Sequence, residues 1–258
     1  MTSGKAMKTE TARVSAVAEA LRDIRLRADR AARAHGRDGG AVRLVGVTKG
    51  HGADVVAAGL SCGVADFGEN RVQEAEGKFA SFIGWTGNGD RDGAGGDGED
   101  DSDSDGRGNF SLHMIGGLQS NKAGLAAGLF DWIHTLDRES LAVALSAERA
   151  RGARLPRLLV QVNTGEEAQK SGVLPGELDG FLDRCEGEWG LAVEGLMCLP
   201  PMGESAAPHF ALLSEMARRR GLRELSMGMS GDFEAAVALG ATMVRVGTSL
   251  FGPRPPTL

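Results

Sequence analysis

The segment L-V-G-V-T-K, residues 44–49, is an apolar run that ends in a threonine and a lysine. Seven more apolar runs of similar length follow along the chain, and segments with helical periodicity, such as 71–82, 138–151 and 232–239, come between them. The runs are apolar on both faces, which is typical of parallel strands covered by helices. We predict the eight strands at 44–48, 64–67, 112–115, 132–135, 158–162, 192–197, 224–227 and 243–246.

Eight β/α units in 258 residues predict an α/β fold, a single closed (β/α)8 TIM-type barrel, and not an open doubly wound sheet. The dinucleotide-binding pattern G-x-G-x-x-G is absent after the first strand, which also disfavours the open sheet. An extra N-terminal helix precedes the barrel, because apolar residues recur there at helical spacing. Its apolar face is formed by Val14, Val17, Leu21, Ile24 and Ala28.

Residues 84–109 break this pattern, because Gly and Asp dominate them and almost nothing in them is apolar. Such a segment cannot bury enough surface to offset the entropy lost on ordering it, so we predict a disordered insertion at the surface. Without these 26 residues, the second and third strands are spaced like the first and second. We therefore expect one domain, 1–258, that carries the insertion within a single β/α unit.

The composition disfavours several classes of binding partner and site. The formal net charge is −6 and no basic patch stands out, so we expect no nucleic-acid partner. Cys62, Cys185 and Cys198 form no CxxC pair, which favours buried reduced thiols over a disulfide framework or a metal site. No apolar stretch approaches the roughly 18 residues that span a membrane, and the N-terminus lacks the apolar region of a secretory signal. We expect a cytoplasmic protein without a membrane partner.

Lys49 stands at the end of the first strand, where α/β barrels place their active sites. A desolvated lysine loses its proton easily and attacks carbonyls, whereas a lysine at a strand end can also simply extend to solvent. After the last two strands, phosphate could be bound by the hydroxyls of Ser226 and Thr248 and by the backbone at Gly228 and Gly247. Together these residues predict a ligand that has both a carbonyl and a phosphate group.

Other polar residues near the strand ends are assigned structural roles. We expect Ser230 to cap the helix at 232–239. Glu69 and Glu74 are expected to cap and solvate the first turn of the helix after the second strand, in preference to an acid–base pair. His113 is expected to belong to a loop or cap, with a hydrogen bond to a substrate as the alternative.

Seven motifs, in order along the chain, closely resemble the pyridoxal phosphate homeostasis protein family, whose members are single-domain relatives of the N-terminal barrel of alanine racemase. The match runs from the first strand to residue 252 and is interrupted only by 84–109. The motifs are V-T-K (47–49), F-G-E-N-R-V-Q-E (67–74), H-M-I-G-G-L-Q-S-N-K (113–122), Q-V-N-T-G-E-E-A-Q-K-S-G (161–172), G-L-M-C-L-P (195–200), L-S-M-G-M-S-G-D (225–232) and V-R-V-G-T-S-L-F-G (244–252).

This resemblance implies that pyridoxal 5′-phosphate (PLP) is bound as an aldimine on Lys49, with Asn70 beside the ring and Arg245 facing the pyridine nitrogen. A guanidinium keeps its proton, so the ring nitrogen beside it would stay unprotonated and be a poor electron sink. The resemblance implies no metal. The predicted cofactor-binding residues are Lys49, Asn70, Ser226, Met227, Arg245, Gly247 and Thr248.

The resemblance implies a carrier without robust catalysis, which keeps free PLP low and delivers it to apo forms of PLP-dependent enzymes. A PLP-dependent amino-acid racemase with weak activity is the alternative, but the chain contains no tyrosine to act as the second base and ends six residues after Gly252. A class I aldolase that acts on a sugar phosphate would use Lys49 and the phosphate site but gives Arg245 no role. We expect a monomer in preference to a dimer.

Overall fold

The structure, a computed structural model, describes residues 2–82 and 110–254, and the predicted insertion at 84–109 lies outside them. Eight parallel strands close into a barrel in which each strand pairs with the next and the last pairs with the first. This confirms the predicted (β/α)8 barrel. The strands are β1 (Arg43–Val47), β2 (Asp66–Glu69), β3 (Ser111–Met114), β4 (Trp132–Leu136), β5 (Arg157–Val162), β6 (Val193–Cys198), β7 (Glu224–Ser226) and β8 (Met243–Val246).

Helices cover the outside of the barrel, and the predicted N-terminal helix is present. The described helices are α1 (Thr2–Arg33), α2 (Ala53–Ser61), α3 (Val72–Phe79), α4 (Ala123–Leu129), α5 (Glu139–Ala150), α6 (Leu178–Gly187), α7 (Ala206–Arg219), α8 (Phe233–Ala238) and α9 (Thr248–Phe251). Val17, Leu21 and Ile24 of α1 are buried, and the helix packs on α2, α8 and α9. None of the helices found in residues 2–82 and 110–254 combines the length and apolar character needed to cross a bilayer.

The strands place alternate side chains on opposite sides of the barrel wall. On β8, Val244 and Val246 pack in the main core between the sheet and the helices. Arg245 lies between them in sequence and therefore points into the lumen. A separate apolar cluster fills part of this lumen and consists of Val45, Trp132, Leu159, Met197 and Met243. Polar side chains also occupy this lumen, among them Arg245 and His113, which stacks on Trp132. The C-terminal ends of the strands surround the mouth of the barrel.

Candidate functional site

Lys49 follows β1 after one residue and is half-buried at the barrel mouth. The pKa of its ammonium is lowered, mainly because burial removes water from it and also because the cations Arg254 and Arg245 lie near. Within residues 2–82 and 110–254, no hydrogen bond or ion pair holds this ammonium. A desolvated amine beside two cations readily loses its proton, which makes Lys49 a nucleophile for a carbonyl carbon.

A buried ionic cluster fixes the turn that carries this lysine; we call its members, Glu69, Glu74 and Lys78, the clamp. The Lys78 ammonium donates to Glu69 Oε1 at 2.6 Å and to Glu74 Oε1 at 3.0 Å. It also donates to the Thr48 carbonyl oxygen at 2.7 Å. The Thr48 hydroxyl donates to Glu69 Oε1 and the Gly50 amide donates to Glu74 Oε1, both at 2.6 Å. The clamp thus holds the backbone on both sides of the site lysine.

The expected capping role of Glu69 is wrong, because Glu69 is the last residue of β2. Glu74 does lie in the first turn of α3, but Arg71 is the N-cap residue and no side chain in the described part of the chain caps this helix. Glu69 is fully buried, and burial raises the pKa of its carboxyl against the opposing effect of the hydrogen bonds from Lys78 and Thr48. Sequence spacing suggested a local cap, but the partners of these carboxylates come from the end of β1 and the last turn of α3.

Asn70 follows β2, the strand next to β1, and is half-buried. Its backbone lies against Gly116, which follows β3. A Cβ added to Gly116 would stand 2.4 Å from the Asn70 carbonyl oxygen, so this close approach requires a glycine. Asn70 and Lys49 therefore follow adjacent strands at the same end of the barrel.

Arg245 projects from β8 into the lumen and is buried, with 4% of its surface exposed. Its Nη1 donates to the Ser226 hydroxyl at 2.6 Å, and its Nη2 donates to the Cys198 carbonyl oxygen at 2.9 Å. No carboxylate pairs with Arg245 in the described part of the chain, and burial lowers the pKa of its guanidinium. Because a guanidinium has five N–H donors, donors remain on Arg245 that have no acceptor among the described residues.

Helix α9 begins at Thr248, directly after β8, with Gly247 as its N-cap residue. A Cβ added to Gly247 would lie 3.3 Å from the Val47 carbonyl oxygen, so the glycine lets this turn approach β1. Thr248 and Ser249 are exposed, and the Ser249 amide donates to the Ser230 hydroxyl at 3.4 Å. Exposed amides and hydroxyls at a short helix after strand eight are the groups with which this fold commonly binds phosphate.

The end of β7 differs from expectation at Ser230. Its expected capping role is wrong, because Asp232 is the N-cap residue of α8 and Ser230 reaches α9 instead. The position of Ser230 in the loop after β7, where this fold commonly binds phosphate, was the feature of the sequence that pointed to a role in ligand binding. Met227 is fully buried in the outer core, so only its backbone can contact a ligand in the lumen. The Ser226 hydroxyl is bound to side chains, and a phosphate contact by Ser226 or Met227 stays a prediction.

Polar side chains form a continuous path across the lumen from Arg245; we call its members, Arg245, Ser226, His134, His113 and Asp66, the lumen chain. Ser226 Oγ lies 2.8 Å from His134 Nδ1, and His134 Nε2 lies 2.9 Å from His113 Nδ1. His113 Nε2 lies 2.9 Å from Asp66 Oδ1. His113 is fully buried inside β3, so the expected loop or cap role is wrong. Sequence reasoning did not single out His134 at all.

Similarity to known proteins covers nearly the whole chain. Residues 20–255 match the family model described as alanine racemase, N-terminal domain. The chain is 38% identical over 250 residues to the pyridoxal phosphate homeostasis protein of Pseudomonas aeruginosa strain PAO1, which covers 93% of this chain and 97% of that protein. It is 35% identical over 250 residues to the protein of the same name from Escherichia coli strain K12, with coverage of 92% and 97%.

A solved relative has the same fold. The structure of PipY from Synechococcus elongatus PCC7942 with PLP bound is 32% identical to this chain, with a TM-score of 0.71. The match covers 92% of this chain and 100% of that one. The barrel, the ordered motifs and the full-length similarity agree, and the chain belongs to the pyridoxal phosphate homeostasis protein family.

Proposed function

We propose that this chain binds PLP, holds it as a Schiff base on Lys49 and takes part in the intracellular homeostasis and delivery of this cofactor. The observation that carries the proposal is the half-buried Lys49 amine, which has no hydrogen bond or ion pair to another described residue and shares the barrel mouth with Arg245 and the exposed start of α9. The name of the curated relatives, and the PLP bound to PipY, support the choice of cofactor.

The aldehyde, the phosphate, the pyridine nitrogen and the ring of PLP each have suitable residues in the site. The Lys49 amine can condense with the aldehyde, which forms the C=N bond and releases one water. The Thr248 and Ser230 hydroxyls and the amides at the start of α9 suit the phosphate. The Arg245 donors that have no acceptor among the described residues suit the pyridine nitrogen, which is an acceptor. Asn70, on the neighbouring strand end, is placed to flank the ring.

The other predicted residues contribute through the backbone or through Arg245. Gly247 brings the turn before α9 against β1 and so brings the proposed phosphate contacts towards Lys49. The Ser226 hydroxyl accepts from Arg245. Met227 contributes only backbone, because its side chain lies in the outer core. These three residues therefore shape the site, whereas Lys49 supplies the reactive group.

Arg245 disfavours general carbanion chemistry on the bound cofactor. Bound PLP supplies an electron sink, which is strongest when its ring nitrogen is protonated. A guanidinium donates hydrogen bonds and does not give up its proton at ordinary pH. A buried Arg245 beside the ring nitrogen therefore favours the unprotonated ring. This suits a protein that stores and releases PLP better than an enzyme that stabilises carbanions.

The visible absorption spectrum of the purified protein tests PLP binding and the role of Lys49. We expect an imine band in the parent protein after PLP is added, its loss in Lys49→Ala, and its retention in the control Lys170→Ala, which removes a half-buried lysine that pairs with Glu167. A parent protein that stays colourless would refute the proposal and would favour a sugar phosphate as the ligand of Lys49.

Delivery needs a separate measurement. The loaded protein is mixed with an apo aminotransferase while a phosphatase removes free PLP, and the recovered aminotransferase activity is followed. We expect faster recovery from the loaded protein than from the same total amount of free PLP. Equal recovery from both sources would leave PLP binding in place but would contradict delivery.

A further inference from the structure

The hydrogen bonds of the lumen chain run in one direction. Arg245 can only donate, so the Ser226 oxygen accepts from it and the Ser226 proton is left to donate to His134 Nδ1. His134 then carries its proton on Nε2 and donates it to His113 Nδ1. His113 likewise carries its proton on Nε2 and donates it to Asp66 Oδ1. Every link of the chain then has one donor and one acceptor.

The opposite direction conflicts with the Asp66 end of the chain. It would place an unprotonated His113 Nε2 at 2.9 Å from a carboxylate oxygen, so that two acceptors would face each other. Asp66 is ionised: burial alone would raise its pKa, but His113 and Arg43, which donates to Asp66 at 3.1 Å, lower it. Burial lowers the pKa of His113 and His134, so each ring is neutral and carries one proton.

His134 therefore determines the orientation of the Ser226 hydroxyl. A serine hydroxyl can rotate until its proton meets an acceptor, and His134 Nδ1 provides that acceptor at 2.8 Å. The lone pairs of the Ser226 oxygen are then available to Arg245. Since Arg245 has no ion pair among the described residues, its hydrogen bonds to the Ser226 hydroxyl and to the Cys198 carbonyl oxygen fix its position.

We propose that His134 is a positioning residue for cofactor binding. It accepts the Ser226 proton as its Nε2–H tautomer and so holds the Arg245 guanidinium where the cofactor ring binds. His113 and Asp66 hold His134 in that tautomer. This inference rests on the proposed function, because Arg245 is assigned to the ring only there. His134 itself contacts no ligand.

The tautomers can be measured without the cofactor. In the full-length protein labelled with 15N-histidine, side-chain nitrogen shifts distinguish N–H from unprotonated nitrogen at each ring position. We expect His134 and His113 to be neutral Nε2–H rings between about pH 7 and 8, above the ordinary histidine pKa, with signals assigned by their loss in single variants. A proton on His134 Nδ1 in this range overturns the inference, whatever the binding data show.

Two substitutions of His134 separate positioning from packing. His134→Leu fills the space but removes the acceptor, so we expect the Kd for PLP to rise about tenfold. His134→Asn fills the space less well but can accept from Ser226, so we expect its Kd to stay within about threefold of the parent. A role in packing alone predicts the reverse order. His35→Leu, at an exposed histidine after α1, is the control and should bind like the parent.

The outcomes distinguish this inference from the proposed function. If the parent protein binds PLP and His134→Leu binds equally well, only the inference is overturned. The inference also falls if His134→Asn binds no better than His134→Leu. If the parent protein binds no PLP, the proposed function falls and the inference falls with it. If His134→Leu does not fold, the comparison of His134→Asn with the parent and the measured tautomers still decide the inference.

Discussion

Replacing Lys78 by methionine measures how much the clamp contributes to the stability of the barrel. Methionine keeps an unbranched apolar stem but removes an ammonium that donates to Glu69, Glu74 and the Thr48 carbonyl. The Glu69 side chain, which is 0% exposed, then loses its cationic partner. Removal of one partner from a buried ion pair costs about 3–5 kcal/mol. We expect the free energy of unfolding to fall by that amount.

The size of this effect depends on pH, because Glu69 can take up a proton. Burial already raises the pKa of its carboxyl in the parent protein, and loss of Lys78 raises it further. When the folded pKa exceeds the unfolded pKa, the folded state binds more protons, so stability falls as the pH rises from the unfolded to the folded pKa. Lys78→Met should therefore be closer to the parent at about pH 5 than at about pH 8.

Urea unfolding at neutral pH, followed by circular dichroism, gives the free energy of unfolding. Lys122→Met is the matched control and should stay within about 0.5 kcal/mol of the parent. Adding Glu69→Gln to Lys78→Met removes the buried charge and should restore about 1–3 kcal/mol. Two results would refute the reasoning: a Lys78→Met protein within about 1 kcal/mol of the parent, or a double variant that is less stable than Lys78→Met.

Three further predictions concern the site and the turns that carry it. Gly228 has φ +89° and a Cβ there would lie 2.5 Å from the Ala236 Cβ, so Gly228→Ala should lower the free energy of unfolding by about 2–4 kcal/mol. In urea unfolding, the control Gly231→Ala should stay near the parent. Arg245→Met should raise the Kd for PLP at least about tenfold. It should change the free energy of unfolding by less than about 1 kcal/mol, because removal of a buried charge that has no ion pair among the described residues offsets the loss of its hydrogen bonds. Fluorescence titration and urea unfolding measure the two effects. The lowered pKa of Lys49 leaves more of its amine unprotonated at a given pH. As the pH is lowered, the stopped-flow rate of PLP uptake by the protein should therefore decline with a midpoint at lower pH than the rate at which PLP reacts with Nα-acetyl-lysine amide. An identical midpoint would contradict the last prediction.

Most strands were predictable because an apolar run forms much of each, but β2 (Asp66–Glu69) has polar residues at both ends and begins two residues later than the predicted 64–67. Burial on both faces requires such a run in a parallel barrel, and the sequence between strands has helical spacing. Helix α1 was predictable for the same reason, since Val17, Leu21 and Ile24 repeat on one face. Lys49 stood out because it follows the first strand where barrels place their active sites, but a lysine there can also extend to solvent, and the family motifs decided between the two.

The lumen chain was not predictable, because its contacts depend on closure of the barrel. Ser226 and His134 are 92 residues apart in sequence, and no local pattern relates them. The alternation Trp132, His134 in β4 indicates that the two side chains share a face but does not identify the partner on the other strands. The capping role predicted for Glu69 was wrong for the same reason. Local spacing suggested a cap, but the Glu69 carboxylate instead binds Lys78, nine residues later on α3.

The seam between β1 and β8 divides the proposed site. Lys49 follows β1, whereas Arg245 lies on β8. The residue pairs across this seam, such as Arg43 with Met243, are about 200 positions apart in sequence. Such pairing is the slowest kind to form, because the largest loop must close before the contact is gained. A chain still on the ribosome therefore has the reactive lysine long before it has the arginine. Uptake of the cofactor should follow the final pairing of the barrel, and bound PLP should report that folding is complete.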